Sequence, residues 1–488
     1  SQPAAAPLPE RSPEQKLSVT RHRVVVNGRP LAYTATTGYM VMRDEDGKHR
    51  ANVFFVAYTK DGADLARRPV TFTYNGGPGS SSVWLHMGAL GPKRVLMSEK
   101  GEALPPPYRM VDNEHTWLDE TDLVFIDPVT TGFSRAAPGQ DPRQFHGFQE
   151  DLESVGAFIR LYATRYGRWS SPKFLAGESY GTTRSAGLAG HLQDRYGLYL
   201  NGVLLISSIL NFQTARFEVG NDLPYPLFLP TYTATAWYHR RLPADLQARP
   251  LRQVLDEVEA FALRDYTLAL TQGDGVAAEE RQRVTRQLAR YTGLTPEYVE
   301  RSNLRVTIGR FVKELLRDQR RTVGRLDSRF QGIDRDAAGE SYEFDPSLDA
   351  TITGPYTATL NDYVRRELRF ENDLPYEILT GRVQPWNYNN VQNRYLNVAE
   401  TLRQAMSKNP GLKVFVASGY YDLATPYFAT DYTVGHLGLD PALRDNVQVR
   451  YYEAGHMMYI HHPSLVKLTQ EAREFLRSAS NVRQDGVR

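Results

Sequence analysis

Between residues 22 and 58 apolar and polar positions largely alternate with a period of two, which predicts antiparallel strands with one buried face. HRVVVNGRPLAYTA carries Asn27-Gly28 between two apolar runs, a two-residue hairpin signal, and ANVFFVAYTK from Ala51 continues in the same style. The pattern then changes. VTFTYNGGPGSSS is a short apolar run ending in a glycine-rich loop, DLVFIDPVTTGFS from Asp122 is a buried strand that turns at Pro128, and PKFLAG and YLNGVLLISS are further buried strands. Between them, GFQEDLESVGAFIRLYATRY from Gly147 places apolar residues at helical spacing, and the segment after Ser179 is small and helix-compatible. Strand, helix, strand, helix, strand predicts an open, mostly parallel α/β sheet with helices on both faces.

From about 211 to 385 this rhythm stops, and amphipathic helices such as RQVLDEVEAFALRDYTLAL and IGRFVKELLRDQRR take over. It resumes with LKVFVASGYYD from Leu412, NVQVRYYEAGH from Asn446 and a final helix from Ser464. The predicted division is a flexible tail (1–15), a sheet domain made of 16–211 and 386–488, and a helical cap inserted as 212–385. An insertion between strands sits at one end of the sheet, and ligands of open parallel sheets bind at the carboxyl end of the strands.

Composition narrows the chemistry. With 488 residues the chain can bury a core without metal or disulfide support. It has no cysteine, which excludes disulfides, thiol nucleophiles and thiolate-bound metals. A net charge of +2, from 58 basic and 56 acidic residues, argues against nucleic acid as the main partner. No apolar run reaches the roughly 18 to 20 residues of a membrane span. The opening SQPAAAPLPERSPEQ, without an initiator Met, is expected to follow a removed export signal, giving a periplasmic or secreted protein. No cofactor or metal is implied. His461 and His462 are adjacent, but no ligand spacing surrounds them. Oligomeric state stays open.

Gly177-Glu178-Ser179-Tyr180-Gly181 is G-x-S-x-G at a strand-to-helix turn, which exposes the serine above the sheet and aims a helix N-terminus at any developing anion. A serine hydroxyl needs a base, and the base needs an orienting acid. Asp422 and His456 each follow a predicted strand, in the order serine, acid, histidine. His436, Asp431 and Asp440 are rivals, but none ends a strand. Oxyanion donors are expected at the N–H of Tyr180, next after the serine, and at Gly77 in the Asn75-Gly76-Gly77-Pro78-Gly79 loop, where glycines let main chain approach a substrate.

NGGPGSSS, DPVTTGFS, GESYG, the GYYD segment and EAGHMM, in this order, together resemble the serine carboxypeptidases, α/β-hydrolase peptidases with a helical cap, and suit a bacterial-type branch. The resemblance runs from about 70 to 475. It implies removal of residues from the free C-terminus of peptides, with Ser179 as nucleophile, His456 as base and Asp422 as its orienter. It also implies that Asn75 and Glu178 bind the substrate's terminal carboxylate, and that this works best in acid, where the two carboxyls can share a proton. Three positions depart from the family: Ser80 replaces a cysteine, Thr73 an aromatic residue, and Ala89 in GALGP a second carboxylate-binding glutamate. The last keeps an esterase or acyltransferase with the same triad as the alternative. A non-catalytic binding protein on the same fold is a third reading, which the complete triad disfavours. In the insertion, PYPLFLPTYTATAWYH from Pro224 and QPWNYNN from Gln384 are candidates to line an apolar pocket, and RLDSRFQGIDRD from Arg325 is expected to be a solvated loop.

Overall fold

The computed structural model describes residues 16–481, so the expected tail lies outside the described residues. The central sheet contains β1 (Leu17–Val26), β2 (Arg29–Arg43), β3 (His49–Lys60), β4 (Val70–Tyr74), β5 (Asp122–Ile126), β6 (Lys173–Ser179), β7 (Gly202–Ser208), β8 (Lys413–Gly419) and β9 (Val447–Tyr452). Their spatial order is β1-β2-β3-β5-β4-β6-β7-β8-β9, and the short strand Arg135–Ala136 also pairs with β3. β1, β2, β3 and β5 pair antiparallel, and every pair from β5 onward is parallel. Asn27 and Gly28 take φ of 50° and 73° and close the β1–β2 hairpin in two residues. β4, β5 and β7 are buried along their whole length, as strands covered on both faces must be.

The helices used below are α1 (Phe148–Arg165), α2 (Tyr180–Tyr196), α3 (Pro224–Tyr238), α4 (Leu251–Phe261), α5 (Ala278–Thr292), α6 (Thr353–Arg366), α7 (Ala399–Lys408), α8 (Tyr427–Gly435) and α9 (His462–Ala479). α1, α2 and α7 cover one face of the sheet through Phe158, Tyr162, Leu192 and Met406. α6 and α9 cover the other through Tyr356, Leu360, Leu468 and Phe475, together with Trp84 and Trp117. α3, α4 and α5 build a third apolar cluster around Phe228, Val258 and Leu288, joined by Tyr421, Leu423 and Tyr427 from the stretch after β8. The chain between β7 and β8 therefore packs in two ways. Its earlier helices bury one another, whereas α6 returns to the sheet. The helix expected from Ile308 spans only Ile308–Glu314. Leu315 and Leu316 turn into the third cluster, and the chain reverses at Arg320 with φ 56°.

The amino ends of the strands are fastened by one carboxylate. Asp122, which opens β5, accepts from Arg68 Nε at 3.0 Å, from an Arg168 guanidinium nitrogen at 2.6 Å and from the Lys60 N–H at 2.9 Å. Arg168 also reaches the Arg68 carbonyl at 2.8 Å and Ser171 Oγ at 2.7 Å. The cluster thus ties the end of β3 to the starts of β4, β5 and β6. Removing one member of a buried ion cluster strands the remaining charge, which typically costs about 3–5 kcal/mol. Asp122→Ala should lose about that much in urea unfolding, measured as a shifted midpoint at unchanged slope.

Candidate active site

β6 ends on Ser179, which holds φ 59° and ψ −126° at the mouth of α2. Such a backbone costs of order 1–3 kcal/mol and persists only where its surroundings enforce it. Two close approaches do so here. A Cβ on Gly177 would fall 2.2 Å from the Gly181 carbonyl oxygen, and one on Gly76 would fall 2.4 Å from the Tyr180 nitrogen. Beneath the turn, the buried Arg184 of α2 donates from Nε to Asp151 Oδ2 at 2.6 Å and from a terminal nitrogen to the Asn75 carbonyl at 2.6 Å. Its guanidinium lies 5.0 Å from the Tyr74 ring centroid and 5.6 Å from that of Tyr180. One cation thus joins the serine turn to the glycine loop. Gly77 takes φ 102°, and Tyr180 opens α2, so the N–H of Tyr180 has no carbonyl one turn back to bind.

Asp422 and His456 lie beyond the ends of β8 and β9. His456 Nδ1 is 2.8 Å from Asp422 Oδ2. The carboxylate is itself fixed by the N–H groups of Ala424 and Thr425 at 2.8 and 2.9 Å and by the Thr425 hydroxyl at 2.8 Å. Thr425 Oγ1 also stands 3.2 Å from His456 Nδ1. Burial works against a charged imidazole, but the charge and hydrogen bond of Asp422, helped by Glu178, hold His456 above its ordinary value. Ser179 Oγ makes no hydrogen bond among the described residues. Ser179 and His456 nevertheless line one cavity, and in unliganded enzymes this bond commonly tightens only with substrate.

Asn75 and Glu178 also meet. Asn75 Nδ2 donates to Glu178 Oε1 at 3.1 Å, while Asn75 Oδ1 accepts from the Leu85 N–H at 3.1 Å. Glu178 is 2% exposed, and burial raises its carboxyl to about 7 against opposing effects from His456, Tyr459 and Asn75. The Tyr459 hydroxyl lies near enough to favour the ionised form, yet it and Glu178 Oε2 are both buried without a hydrogen bond of ordinary geometry. Ala89 is fully buried in the apolar cluster containing Trp84 and Leu90, so no carboxyl comes from that side.

The cavity holds about 800 Å³ and is lined on the sheet side by Asn75, Gly77, Glu178, Ser179, Tyr180 and His456. The chain between β7 and β8 adds Arg325, Leu326 and Tyr342 and, just past the expected insertion, Trp386 and Tyr388 among others. The two aromatic stretches divide. Trp386 and Tyr388 of QPWNYNN reach the wall, whereas α3 is not part of it: Phe228, Leu229 and Thr231 are buried inside the helical cluster. The loop from Arg325, expected to be solvated, is a buried strap over its first half. Asp327, Ser328 and Arg329 are all buried, and the chain becomes exposed further on, from Gln331. The strap is bonded to both loops that carry the acid and the imidazole. Leu326 carbonyl accepts from the His456 N–H at 2.7 Å, Arg325 carbonyl accepts from the Leu423 N–H at 3.0 Å, and Asp327 Oδ2 accepts from the Gly455 N–H at 3.2 Å. Asp327 is neutralised by Arg329 at 2.7 Å. The sequence reading assigns nothing to Thr425, Arg184 and Asp151 and takes this strap for a solvated loop. D-x-x-T after the acid was the one local sign of Thr425, and the others become visible only through contacts between distant segments.

The chain is 30% identical to serine carboxypeptidase-like 33 of Arabidopsis thaliana over 190 residues, which is 38% of this chain and 36% of that protein. It is 28% identical to carboxypeptidase Y of Candida albicans over 216 residues, 43% of this chain and 34% of that protein. These two matches thus span about a third of each relative's length. Serine carboxypeptidase-like 46 of Arabidopsis thaliana is matched more fully, at 23% identity over 88% of this chain and 81% of that protein. Among solved structures, KEX1(Δ)p, a prohormone-processing carboxypeptidase from Saccharomyces cerevisiae, superposes over 93% of both chains with a TM-score of 0.58 at 16% identity, which establishes the shared fold. The family model described as serine carboxypeptidase matches residues 27–462, and the chain belongs to the serine carboxypeptidase family.

Proposed function

We propose that this protein is a serine-type carboxypeptidase that removes residues from the free C-terminus of peptides through an acyl-enzyme. The reading is carried by one observation: a serine held at φ 59° opens on the same cavity as an imidazole whose Nδ1 is bound by a buried carboxylate at 2.8 Å. On this reading Ser179 Oγ attacks the scissile carbonyl while His456 Nε2 takes its proton, and Asp422 holds the imidazole in the tautomer that leaves Nε2 free. The N–H groups of Gly77 and Tyr180 receive the oxyanion. The C–N bond then breaks, His456 returns the proton to the leaving amine, and water repeats the sequence on the ester to free Ser179. The insertion, residues 212–385, acts as a cap that shapes the cavity.

Asn75 and Glu178 bind the terminal carboxylate of the substrate. With its carboxyl raised to about 7, Glu178 is protonated in acid and donates its proton into the contact. Above that pH it ionises, and the two carboxylates repel. His456 must be neutral to accept the serine proton, and Asp422 keeps it charged to a higher pH than usual, so acylation weakens toward acid. Binding and chemistry therefore pull the pH profile in opposite directions.

An esterase or acyltransferase is the second reading, favoured by Ala89, which leaves one carboxyl where the family has two. A peptide with a free C-terminus and its amide separate the two. A carboxypeptidase cleaves the acid and spares the amide, and equal cleavage of both, or of simple esters alone, removes the peptidase assignment.

Ser179→Ala should lower kcat roughly a million-fold, since triad members act as a unit; near-full activity would end the proposal. KM for the free-acid peptide should climb as pH passes about 7, by up to about tenfold per unit, and Glu178→Gln should flatten that climb. Stability gives an independent check. The folded protein holds the Glu178 proton to about 7, the unfolded chain only to about 4.5, so wild type loses stability as pH rises between these values. Glu178→Gln should remove a penalty of up to about 3 kcal/mol at pH 8, read from urea midpoints across pH 4 to 8.

A further inference from the structure

The cavity wall carries an uncommitted cation. Arg325 lies at the start of the strap, half-buried, and lines the cavity together with Ser179 and His456. Its main chain is fixed on both sides: its N–H donates to Asp345 Oδ1 at 3.1 Å, and its carbonyl accepts from the Leu423 N–H at 3.0 Å, one residue past Asp422. Its guanidinium makes no ion pair or hydrogen bond among the described residues. It is close enough to His456 and Tyr342 to act on both through charge. Four other arginines of the insertion are engaged. Arg329 is bound to Asp327, Arg305 to Asp222 and Arg241 to Asp318, while Arg216, also on the cavity wall, lies 5.4 Å from the Phe212 ring centroid. Asp345 spends its oxygens on the N–H groups of Arg325, Leu326 and Ser347 and on the Ser347 hydroxyl. Asp349 is exposed where the insertion meets the cavity.

A guanidinium held without a counter-ion in a partly desolvated cavity is a poor neighbour for a charged imidazole and a strong partner for a planar anion. It stays charged at every working pH and presents paired N–H donors that match a carboxylate. We infer that Arg325 is a specificity residue of this site and binds a carboxylate of the peptide substrate, supplying charge recognition that Ala89 does not. The inference rests on the peptidase reading of the cavity. The carboxylate comes either from the substrate's C-terminus or from an acidic side chain beside the scissile bond. Both present the same chemistry to Arg325, and neither source depends on a proton as the contact with Glu178 does.

Two matched peptide pairs test this on the full-length protein: a neutral peptide as its free acid and as its amide, and a free-acid peptide with Glu or Gln before the scissile bond. kcat and KM are measured for wild type, Arg325→Gln and Arg325→Lys. Arg325→Gln should lower the preference for the carboxylate-bearing member of one pair by about tenfold or more, mainly through KM, and Arg325→Lys should restore part of it. Collapse of the acid-over-amide ratio assigns the contact to the C-terminus, and collapse of the Glu-over-Gln ratio assigns it to the side chain. Labelling of Ser179 by a fluorophosphonate reports a folded site. Changes below twofold in both ratios, in an Arg325→Gln protein that still labels, would overturn the inference and leave the peptidase reading standing. Wild-type protein that takes up no label would overturn both.

Discussion

The contact on which the site depends is between two stretches of main chain. The Asn75-Gly76 backbone runs so close to the first amides of α2 that any side chain on Gly76 would meet the Tyr180 nitrogen. That approach brings the glycine loop and the serine turn into one rigid unit, with Tyr180 and Gly77 on the same cavity wall. Arg184 holds it from below, its charge balanced by Asp151 and its remaining donor placed on the Asn75 carbonyl. The strained backbone of Ser179 is affordable because the sheet, the loop and this ion pair leave the turn no other conformation.

The acid and the imidazole are held differently. Their loops leave β8 and β9 near one edge of the sheet and are bridged by the strap that begins at Arg325. Two main-chain carbonyls of the strap, those of Arg325 and Leu326, and the Asp327 carboxylate carry bonds to the Asp422 and His456 loops. Geometry that would otherwise rest on two surface loops thus rests on a buried crossing of three. The same segment also faces the cavity through Arg325 and Leu326.

Much of the sheet was legible from local pattern. Strand positions followed from short apolar runs, the hairpin from Asn27-Gly28, and the elbow from a serine flanked by glycines at a strand end. The proposed triad residues could be picked out because each follows a strand, which is a property of local sequence. The strap was misread because Arg325, Asp327, Ser328 and Arg329 look like solvated polar residues. Their burial is stabilised by partners at Gly455, Tyr421 and Asp345, and no periodicity reports contacts over such separations. The aromatic run of α3 was ambiguous for a related reason. Aromatic residues fill a core or line a cavity with the same spacing, and which they do is set by the helices packed around them.

The double bonding of the strap has an evolutionary consequence. In many enzymes a lid can be exchanged as a module, because the reacting groups are anchored in the scaffold alone. Here the strap between β7 and β8 accepts from the N–H of His456 itself, so a transplanted segment of different sequence would arrive without that brace. On the proposed reading, drift in the strap would reach turnover as well as substrate choice, and recombination that respects only the sheet boundary would separate the strap from the loops it braces.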